Sequence, residues 1–261
     1  MKLNLFSFLL LVSIVAVLSS CQKEPSSELP APTAPHLVEY IEGEDFIKFN
    51  KAADGSVNKL TVKTEIITGG TVTDYQVNYD ANNKIASLTN DRNEKIEVHY
   101  MDGQISRADL FRNGERFGYT AYNYVNNRLY TATIYYGKGV DFLPAMSYAF
   151  EWNAEGNVKN VTYLTENGVP NTLVRSAYVT MSYDRKVNPL YQYKDLLSLF
   201  WTAASKNNLL QENQFDADLK PSDRFSYVYK YNAGGLPQSA TLTSGLPGET
   251  PLTSMVTYIY K

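Results

Sequence analysis

The run Tyr75-Gln76-Val77-Asn78-Tyr79-Asp80-Ala81-Asn82-Asn83-Lys84-Ile85 decides the fold of this chain, because its pattern returns along the sequence. Alternating side chains lead to an aromatic residue, then to a turn rich in Asn, Asp and Gly, and then to an apolar residue. Residues 148–158 and 227–236 repeat the pattern. Alternation with a period of two is typical of β-strands, and these turn residues tolerate positive φ or bond their own backbone. Each unit is therefore predicted to be a β-hairpin.

Weaker copies of the unit predict that hairpins follow one another along the chain. We call the terminal aromatic residue of each unit its anchor. The anchors are Tyr79, Trp152 and Tyr231 in the clear copies and Phe49, Tyr100, Tyr124, Tyr183 and Tyr260 in the weaker ones. The strand face that carries the anchors is apolar and aromatic, whereas the opposite face carries polar residues such as Gln76, Glu97 and His99. One apolar and one polar face indicate antiparallel strands with one buried side.

The second arm of each hairpin carries apolar or small residues at positions i, i+3 and i+5. Val57, Leu60 and Val62 are one such set, and Ile105, Ala108 and Leu110 are another. The first step of three residues would place its ends on opposite faces of a regular strand. A one-residue β-bulge just after the turn would return all three residues to one face.

One segment has the period of a helix instead. Its apolar residues follow the spacing i, i+3, i+4, i+7, i+8 and are Tyr193, Leu196, Leu197, Phe200, Trp201 and Ala204. We predict a short amphipathic helix here that could plug an open end of the sheet. The predicted fold is all-β: an antiparallel meander of repeated hairpins in a curled sheet, sandwich- or open-barrel-like, with one short inserted helix, forming a single domain over residues 37–261.

The Tyr79-Asp80 unit is similar to the YD repeats of Rhs-type proteins, which wrap long β-sheets into shells. The chain more closely resembles DUF4595, a family of uncharacterised Bacteroides lipoprotein domains with YD-like hairpins and an insertion that contains Asn-Pro. The matching pieces lie at residues 183–190, 205–208 and 229–237. The resemblance covers roughly residues 75–261. It implies an all-β fold and an envelope address, and the family has no established activity.

The N-terminus has the features of a lipoprotein signal peptide over residues 1–20. Lys2 supplies a positive charge, an apolar stretch runs from Leu5 to Leu18, and Leu18-Ser19-Ser20-Cys21 looks like a lipobox. The stretch is shorter than the roughly 20 apolar residues of a membrane-spanning helix, although a short transmembrane anchor is the alternative. Cys21 is the only cysteine, so it cannot form an internal disulfide. We predict that Cys21 carries the lipid, including palmitate, and anchors the protein to a membrane.

Residues 21–36 are predicted to be the lipidated cysteine and an extended tether, since four of the chain's 11 prolines fall there. Gln22 is not the aspartate that commonly retains lipoproteins in the inner membrane of proteobacteria. Gln22-Lys23-Glu24 resembles the charged export tags of surface lipoproteins in Bacteroidetes. The predicted location is therefore the cell envelope, as an outer membrane lipoprotein that is either periplasmic or exposed at the surface.

Charge and residue types exclude several kinds of chemistry. The formal net charge of −3 gives no attraction to nucleic acid. The only histidines are His36, in the tether, and His99, which is expected to form a solvated strand pair with Glu97. No metal, cofactor or catalytic residue is predicted, since the domain has no cysteine–histidine pair, no histidine cluster and no phosphate-binding glycine motif.

The 21 tyrosines offer the better functional candidates, because aromatic rings stack on sugars and anchor interfaces. Among aromatics that are not anchors, Tyr135, Tyr136, Tyr191 and Trp201 are candidate ligand contacts, with core packing as the alternative for each. The sequence favours a non-enzymatic binding or scaffold domain for a glycan, a peptide or a partner envelope protein. The alternatives are an envelope enzyme that cleaves glycans with a carboxylate pair, and a purely structural spacer.

Overall fold

The computed structural model describes residues 35–64, 68–139, 141–169, 171–246 and 248–261. The predicted signal peptide, Cys21 and the tether up to residue 34 lie outside the described residues. The compact unit is Pro35–Lys261. Within the described segments, no helix is both long enough and apolar enough to cross a membrane.

The described residues form sixteen strands and one short helical insertion. The strands are β1 (Leu37–Glu42), β2 (Asp45–Lys51), β3 (Val57–Lys63), β4 (Thr73–Tyr79), β5 (Ile85–Thr89), β6 (Glu94–Met101), β7 (Gln104–Arg112), β8 (Glu115–Val125), β9 (Arg128–Lys138), β10 (Asp141–Trp152), β11 (Val158–Glu166), β12 (Leu173–Val187), β13 (Asn207–Asp216), β14 (Pro221–Tyr231), β15 (Pro237–Ser244) and β16 (Leu252–Tyr260). A 3-10 helix (Pro189–Tyr193) and helix α1 (Lys194–Ser198) lie between β12 and β13.

Each strand pairs antiparallel with the next, and β1 pairs with β16, so the sheet is a closed barrel. The prediction of an all-β antiparallel meander is confirmed, but the sandwich or open barrel is wrong. At the closing seam Tyr40 lies opposite Tyr258, and the backbones of His36 and Lys261 exchange hydrogen bonds of 2.9 and 3.1 Å. His36, placed in the tether by its sequence context, therefore extends the seam. Pairing between the two ends of a domain leaves no trace in local periodicity, whereas it removes both sheet edges.

The β-bulges predicted from the i, i+3, i+5 spacing are confirmed. In the β4–β5 hairpin, Tyr79 lies opposite Ile85 and Asn78 opposite Ser87, so Ala86 is the extra residue. The same shift follows the turns of β2–β3, β6–β7, β8–β9, β10–β11 and β14–β15. As a result Val57, Leu60 and Val62 are all buried inside the barrel.

The anchors join neighbouring hairpins through their polar tips. Four of them donate a hydrogen bond to a backbone carbonyl at the start of the strand that follows the preceding hairpin turn: Tyr79 to Val57 (3.0 Å), Tyr100 to Ile85 (3.1 Å), Trp152 to Leu129 (2.7 Å) and Tyr260 to Pro237 (2.7 Å). A bulge disturbs the regular ladder at this point, so a side-chain donor satisfies a carbonyl beside it. This repeated contact explains why these four units end in Tyr or Trp, which have a polar tip, and not in Phe.

The lumen of the barrel is the hydrophobic core, and the outer face is polar. Phe49, Leu60 and Val256 are fully buried inside. Outside, Lys48 pairs with Glu39 at 3.2 Å and Lys59 with Asp74 at 2.6 Å. The strands therefore direct their apolar side chains inward, toward the helical insertion.

The insertion fills part of the lumen and contacts well-separated strands. Tyr193 stacks on Phe49 of β2 with ring centroids 3.7 Å apart, and Phe200 meets the edge of Tyr75 of β4 at 5.4 Å. Trp201 donates from Nε1 to the Thr120 hydroxyl of β8 at 3.1 Å. The apolar helical spacing thus correctly identified a buried insertion, but the α-helix itself ends at Ser198, before Phe200 and Ala204.

Candidate functional site

A pocket of about 240 Å³ lies in the lumen between the insertion and the wall formed by β1, β12, β13, β14 and β16. We call it the lumen pocket. Its lining includes the tyrosines Tyr40, Tyr183, Tyr227, Tyr229 and Tyr258. Thr202 of the insertion also lines it and is exposed to solvent. The volume is below the ~300–1,000 Å³ of drug-sized sites, so it suits a small molecule or a terminal group of a larger one.

Strand alternation places these tyrosines in one continuous row. Tyr227 and Tyr229 are two residues apart on β14 and therefore share its inner face, with ring centroids 6.3 Å apart. Tyr229 is 6.4 Å from Tyr258, and Tyr258 meets Tyr40 edge-on at 5.3 Å across the seam. Burial raises the pKa of Tyr183 to about 12, and burial also raises the pKa of Tyr227, Tyr229 and Tyr258. The row is thus neutral at physiological pH and contributes aromatic rings and hydroxyl-bearing side chains to the lining of the pocket.

Two partly buried carboxylates accompany the row. Glu212 of β13 lines the lumen pocket and accepts a hydrogen bond of 2.7 Å from the Gln214 side chain. Glu42 of β1 accepts one from the Tyr40 hydroxyl, which lines the same pocket. Burial raises the pKa of both carboxyls, and the charges of Asp45 beside Glu42, and of Glu42 and Asp223 beside Glu212, raise it further. Acidic groups therefore cluster on this side of the lumen, and none of the described residues that line the pocket is basic.

The neck of the insertion is a polar network that borders the lumen pocket. Asp184 accepts from the backbone N–H of Asn208 at 3.1 Å, from the Asn208 amide at 3.3 Å and from the Tyr231 hydroxyl. On the other side of the neck, Asn188 donates from its amide to the Ser205 carbonyl at 3.0 Å. These bonds tie the two ends of the insertion together. They also explain why Tyr183-Asp184, Asn188-Pro189 and Asn207-Asn208 occur together in this part of the sequence: each pair supplies a residue to the network.

Trp201 and Tyr191, two of the predicted ligand contacts, belong to the insertion. Trp201 has φ +63° and follows α1 as a left-handed cap: its N–H bonds the Ser198 carbonyl, and the next N–H bonds that of Leu197. Glycine usually occupies this position, because a side chain there costs about 1–2 kcal/mol. The strained turn directs the indole to Thr120 and stacks it on Tyr148 at 6.4 Å. Tyr191 packs against the core cluster, so core packing accounts for it.

The other two predicted contacts, Tyr135 and Tyr136, are adjacent on β9 and therefore point to opposite faces. Tyr135 stacks on Tyr119 at 4.5 Å on the outer wall, beside the charged groups of Arg107 and Asp109. Tyr136 is 43% exposed and faces Phe117 at 6.1 Å. The structure therefore does not bring the four predicted contacts together.

His99 has a different partner from the one expected. Its Nε2 bonds Asp109 at 2.8 Å, whereas Glu97 pairs with Lys95 at 2.5 Å. Asp109 is itself buried and also pairs with Arg107 at 2.6 Å. In the register of β6 and β7, Glu97 lies opposite Asp109 and His99 lies opposite Arg107, so His99 reaches Asp109 diagonally. Strand alternation alone does not show this register. In the part of the chain that the structure describes, no group of three or more His, Cys, Asp or Glu could hold a metal ion.

The barrel has known counterparts among solved structures. A porin-like protein from Bacteroides uniformis ATCC 8492 matches with a TM-score of 0.62 and 11% identity, over 85% of this chain and 96% of that one. The fold is similar to that of porin-like proteins. A second one, from Bacteroides vulgatus ATCC 8482, matches with a TM-score of 0.56 and 12% identity, over 87% and 99% of the two chains. No protein-family model and no curated protein matches the chain. At identities this low, the structural matches establish a shared fold alone.

Sequence reasoning missed Glu212 and the role of the tyrosine row. Tyr227 and Tyr229 were assigned to a buried strand face, which is where they lie, but a buried face can line a pocket as well as fill a core. The sequence did contain one indication of a pocket: Tyr227, Tyr229 and Tyr231 occupy alternate positions of one strand. A strand face that only fills a core would favour aliphatic residues. Glu212 gave none, because β13 lacks a clear alternation.

We expect Glu212→Gln to stabilise the protein at pH 8 and to have little effect at pH 4. Burial raises the folded-state pKa of Glu212, so its favourable contribution is complete below the unfolded-state pKa and is lost as pH rises through the folded value. Glutamine does not titrate and escapes this loss. The groups that face Glu212 are Glu42, Asp223, Tyr163, Tyr183 and Tyr227.

Thermal unfolding of both proteins at the two pH values tests this expectation. Glu155→Gln, at an exposed turn position, is the control and should show no pH-dependent difference. An equal difference in midpoint between wild type and Glu212→Gln at both pH values would contradict a buried, titrating Glu212.

Proposed function

We propose that this chain is a lipid-anchored binding protein of the bacterial cell envelope that takes its ligand in the lumen pocket. The observation that carries the proposal is the pocket itself. Inside a barrel whose lumen is otherwise a packed core, one side is lined by a row of tyrosines, by Asn208 and by Glu212. Apolar walls with a few convergent polar groups are the usual composition of small-molecule sites. Aromatic faces beside a carboxylate also suit the apolar faces and hydroxyl groups of a sugar.

An envelope setting is supported from two sides. The sequence around Cys21 looks like a lipobox, and the chain resembles uncharacterised Bacteroides lipoprotein domains. The matching solved structures bear the description porin-like. Membrane barrels carry an apolar band on the outside, whereas the wall here carries ion pairs outside, such as Lys59–Asp74, and aromatic residues inside. We therefore infer that a lipid on Cys21, and not the barrel wall, holds the protein to the membrane.

We expect Cys21→Ala to abolish incorporation of labelled palmitate and to shift the protein from the membrane fraction to the soluble fraction of the envelope. The reason is that Cys21 is the only thiol and that the outer wall carries ion pairs such as Lys59–Asp74. Ser20→Ala, which keeps a small residue before the cysteine, is the control. A variant without palmitate that still sediments with membranes would show that the wall or another segment provides the anchor.

The binding proposal is tested by filling the lumen pocket. Thr202→Trp places a bulky ring in the pocket from an exposed position, and Val228→Trp places the same ring on the outer wall, where Val228 is 70% exposed. The full chain is screened by ligand-detected NMR against sugars, oligosaccharides, short peptides and small amines. We expect one class to bind wild type and Val228→Trp but not Thr202→Trp. Binding that Thr202→Trp leaves unchanged, or no binding by any class, would overturn the lumen pocket as the site.

A glycan-cleaving enzyme is the second candidate, and the pair of Glu42 and Glu212 favours it. Both carboxyls are partly buried on the pocket side of the lumen, and burial, with a further contribution from the charge of Glu42, raises the pKa of Glu212, as a general acid requires. Turnover of chromogenic glycosides by wild type, lost in Glu212→Gln and kept in Glu155→Gln, would establish this candidate. Bound sugar without turnover would leave the binding function alone.

A further inference from the structure

The charged groups in and around the lumen pocket are acidic. None of the described residues that line it is a Lys, Arg or His. The charged groups that act on Glu212 are Glu42 and Asp223, and the one that acts on Glu42 is Asp45. The side-chain hydrogen bonds to Glu212 and Glu42 come from neutral donors, Gln214 and Tyr40 respectively. Even a partly buried carboxylate often has a cationic partner in the protein, because its desolvation is costly. Here none of the described residues supplies one.

Asn208 gives a second, independent indication of the same kind. Its side chain is 1% exposed and lines the lumen pocket, and its Oδ1 has no hydrogen-bond partner among the described residues. Exchanging the amide oxygen and nitrogen would not satisfy the group. Nδ2 donates to the Asp184 carboxylate at 3.3 Å and to the Lys186 carbonyl at 3.4 Å, and an oxygen in its place would face two acceptors. A buried acceptor without a donor costs free energy until a ligand supplies one.

The tyrosine row adds a third element. The faces of aromatic rings carry negative electrostatic potential and attract cations, most strongly where water is excluded. Tyr227, Tyr229 and Tyr258 line the same pocket of about 240 Å³ as Glu212, and their rings are neighbours at 6.3 and 6.4 Å. A free acceptor, uncompensated carboxylates and ring faces all favour a ligand that donates hydrogen bonds and carries positive charge.

We propose that the lumen pocket selects a small organic cation, a primary ammonium group on a compact apolar or sugar-like body. This inference rests on the proposed binding function and narrows it to a chemical class. The ammonium would pair with Glu212 and donate to Asn208 Oδ1, and the body of the ligand would lie against the tyrosine rings. Neutral sugars of the same size would lack the group that the pocket is built to satisfy.

The experiment compares two pairs of probes that differ only in this group. Cyclohexylmethylammonium and cyclohexylmethanol form the first pair, and glucosamine and glucose form the second. Affinities for the full chain are measured by calorimetry at neutral pH. We expect the ammonium member of at least one pair to bind roughly tenfold tighter than its neutral partner, since a hydrogen bond to a charged group contributes about that factor. The pair that responds shows whether the body is apolar or sugar-like.

Glu212→Gln should reduce this preference to within about threefold, whereas the exposed Glu155→Gln should leave it unchanged. Equal affinity for the charged and neutral members of both pairs would overturn the cation inference while the binding function stands. If none of the four probes binds, the cation inference also fails, and the broader screen with Thr202→Trp decides the binding function separately. A preference that survives in Glu212→Gln would remove Glu212 as the partner and contradict the inference.

Discussion

Phe49→Ala is expected to lower the free energy of unfolding by about 3–5 kcal/mol, the usual cost of deleting a buried phenylalanine ring. Phe49 is 1% exposed, and its ring stacks on Tyr193 at 3.7 Å, so it joins the barrel wall to the insertion. The loss is a large share of the roughly 5–15 kcal/mol that stabilises a typical domain. Urea denaturation measures it as a lower midpoint.

The matched control for Phe49→Ala is Val228→Ala on the outer wall, where the side chain is 70% exposed. An exposed position away from special features should change stability by no more than about 0.5 kcal/mol. If Phe49→Ala behaved like this control, the insertion would not be docked in the lumen as described, and the lumen pocket would lose one of its walls.

Asp184→Ala is expected to cost about 2–4 kcal/mol and to expose the insertion to proteolysis. The carboxylate accepts from the backbone and side chain of Asn208, from the Tyr231 hydroxyl and from the Lys186 N–H at 2.8 Å. Without it, Asn208 retains a buried amide whose best acceptor is gone. Because Asn208 lies at one end of the insertion, the neck should loosen. The measurements are urea denaturation and the rate of cleavage between residues 189 and 205.

Asp80→Ala provides the comparison that isolates the neck. Asp80 holds the same position after an anchor, but its carboxylate accepts from the backbone of its own turn, at Asn82 and Lys84. Loss of these local bonds should cost about 1 kcal/mol and leave the insertion protected. Equal effects of the two substitutions would mean that Asp184 serves only its turn and does not clamp the insertion.

The hairpin repeat could be predicted because its determinants are local. The alternation around Tyr79 and the unusual spacing of Val57, Leu60 and Val62 report strand faces and bulges directly, and the register bears them out. Closure of the barrel could not be predicted, because the pairing of Tyr40 with Tyr258 joins strands from opposite ends of the domain. The early end of α1 was missed for another reason: Trp201 takes a backbone conformation that a tryptophan rarely adopts.

The candidate site was predictable only in its residue type. The sequence pointed to aromatic residues, and tyrosines line the lumen pocket, yet the structure does not bring Tyr135, Tyr136, Tyr191 and Trp201 together. The lumen pocket draws on residues from five strands and the insertion, so no window of sequence contains it. Glu212 is visible as a site residue only once β13 is placed beside β12 and β14, where it lies opposite Met181 and Phe225.

The seam between β1 and β16 makes the lumen pocket dependent on completed folding. Tyr40 and Tyr258 meet across it, so the first and last strands each contribute a wall. A chain that has formed all its local hairpins but has not joined its ends would have no assembled pocket. A ligand that binds only the joined state would stabilise it by mass action. Occupancy of the pocket would thus favour the closed ring of strands over any opened form, and would protect the protein from association through unpaired strands.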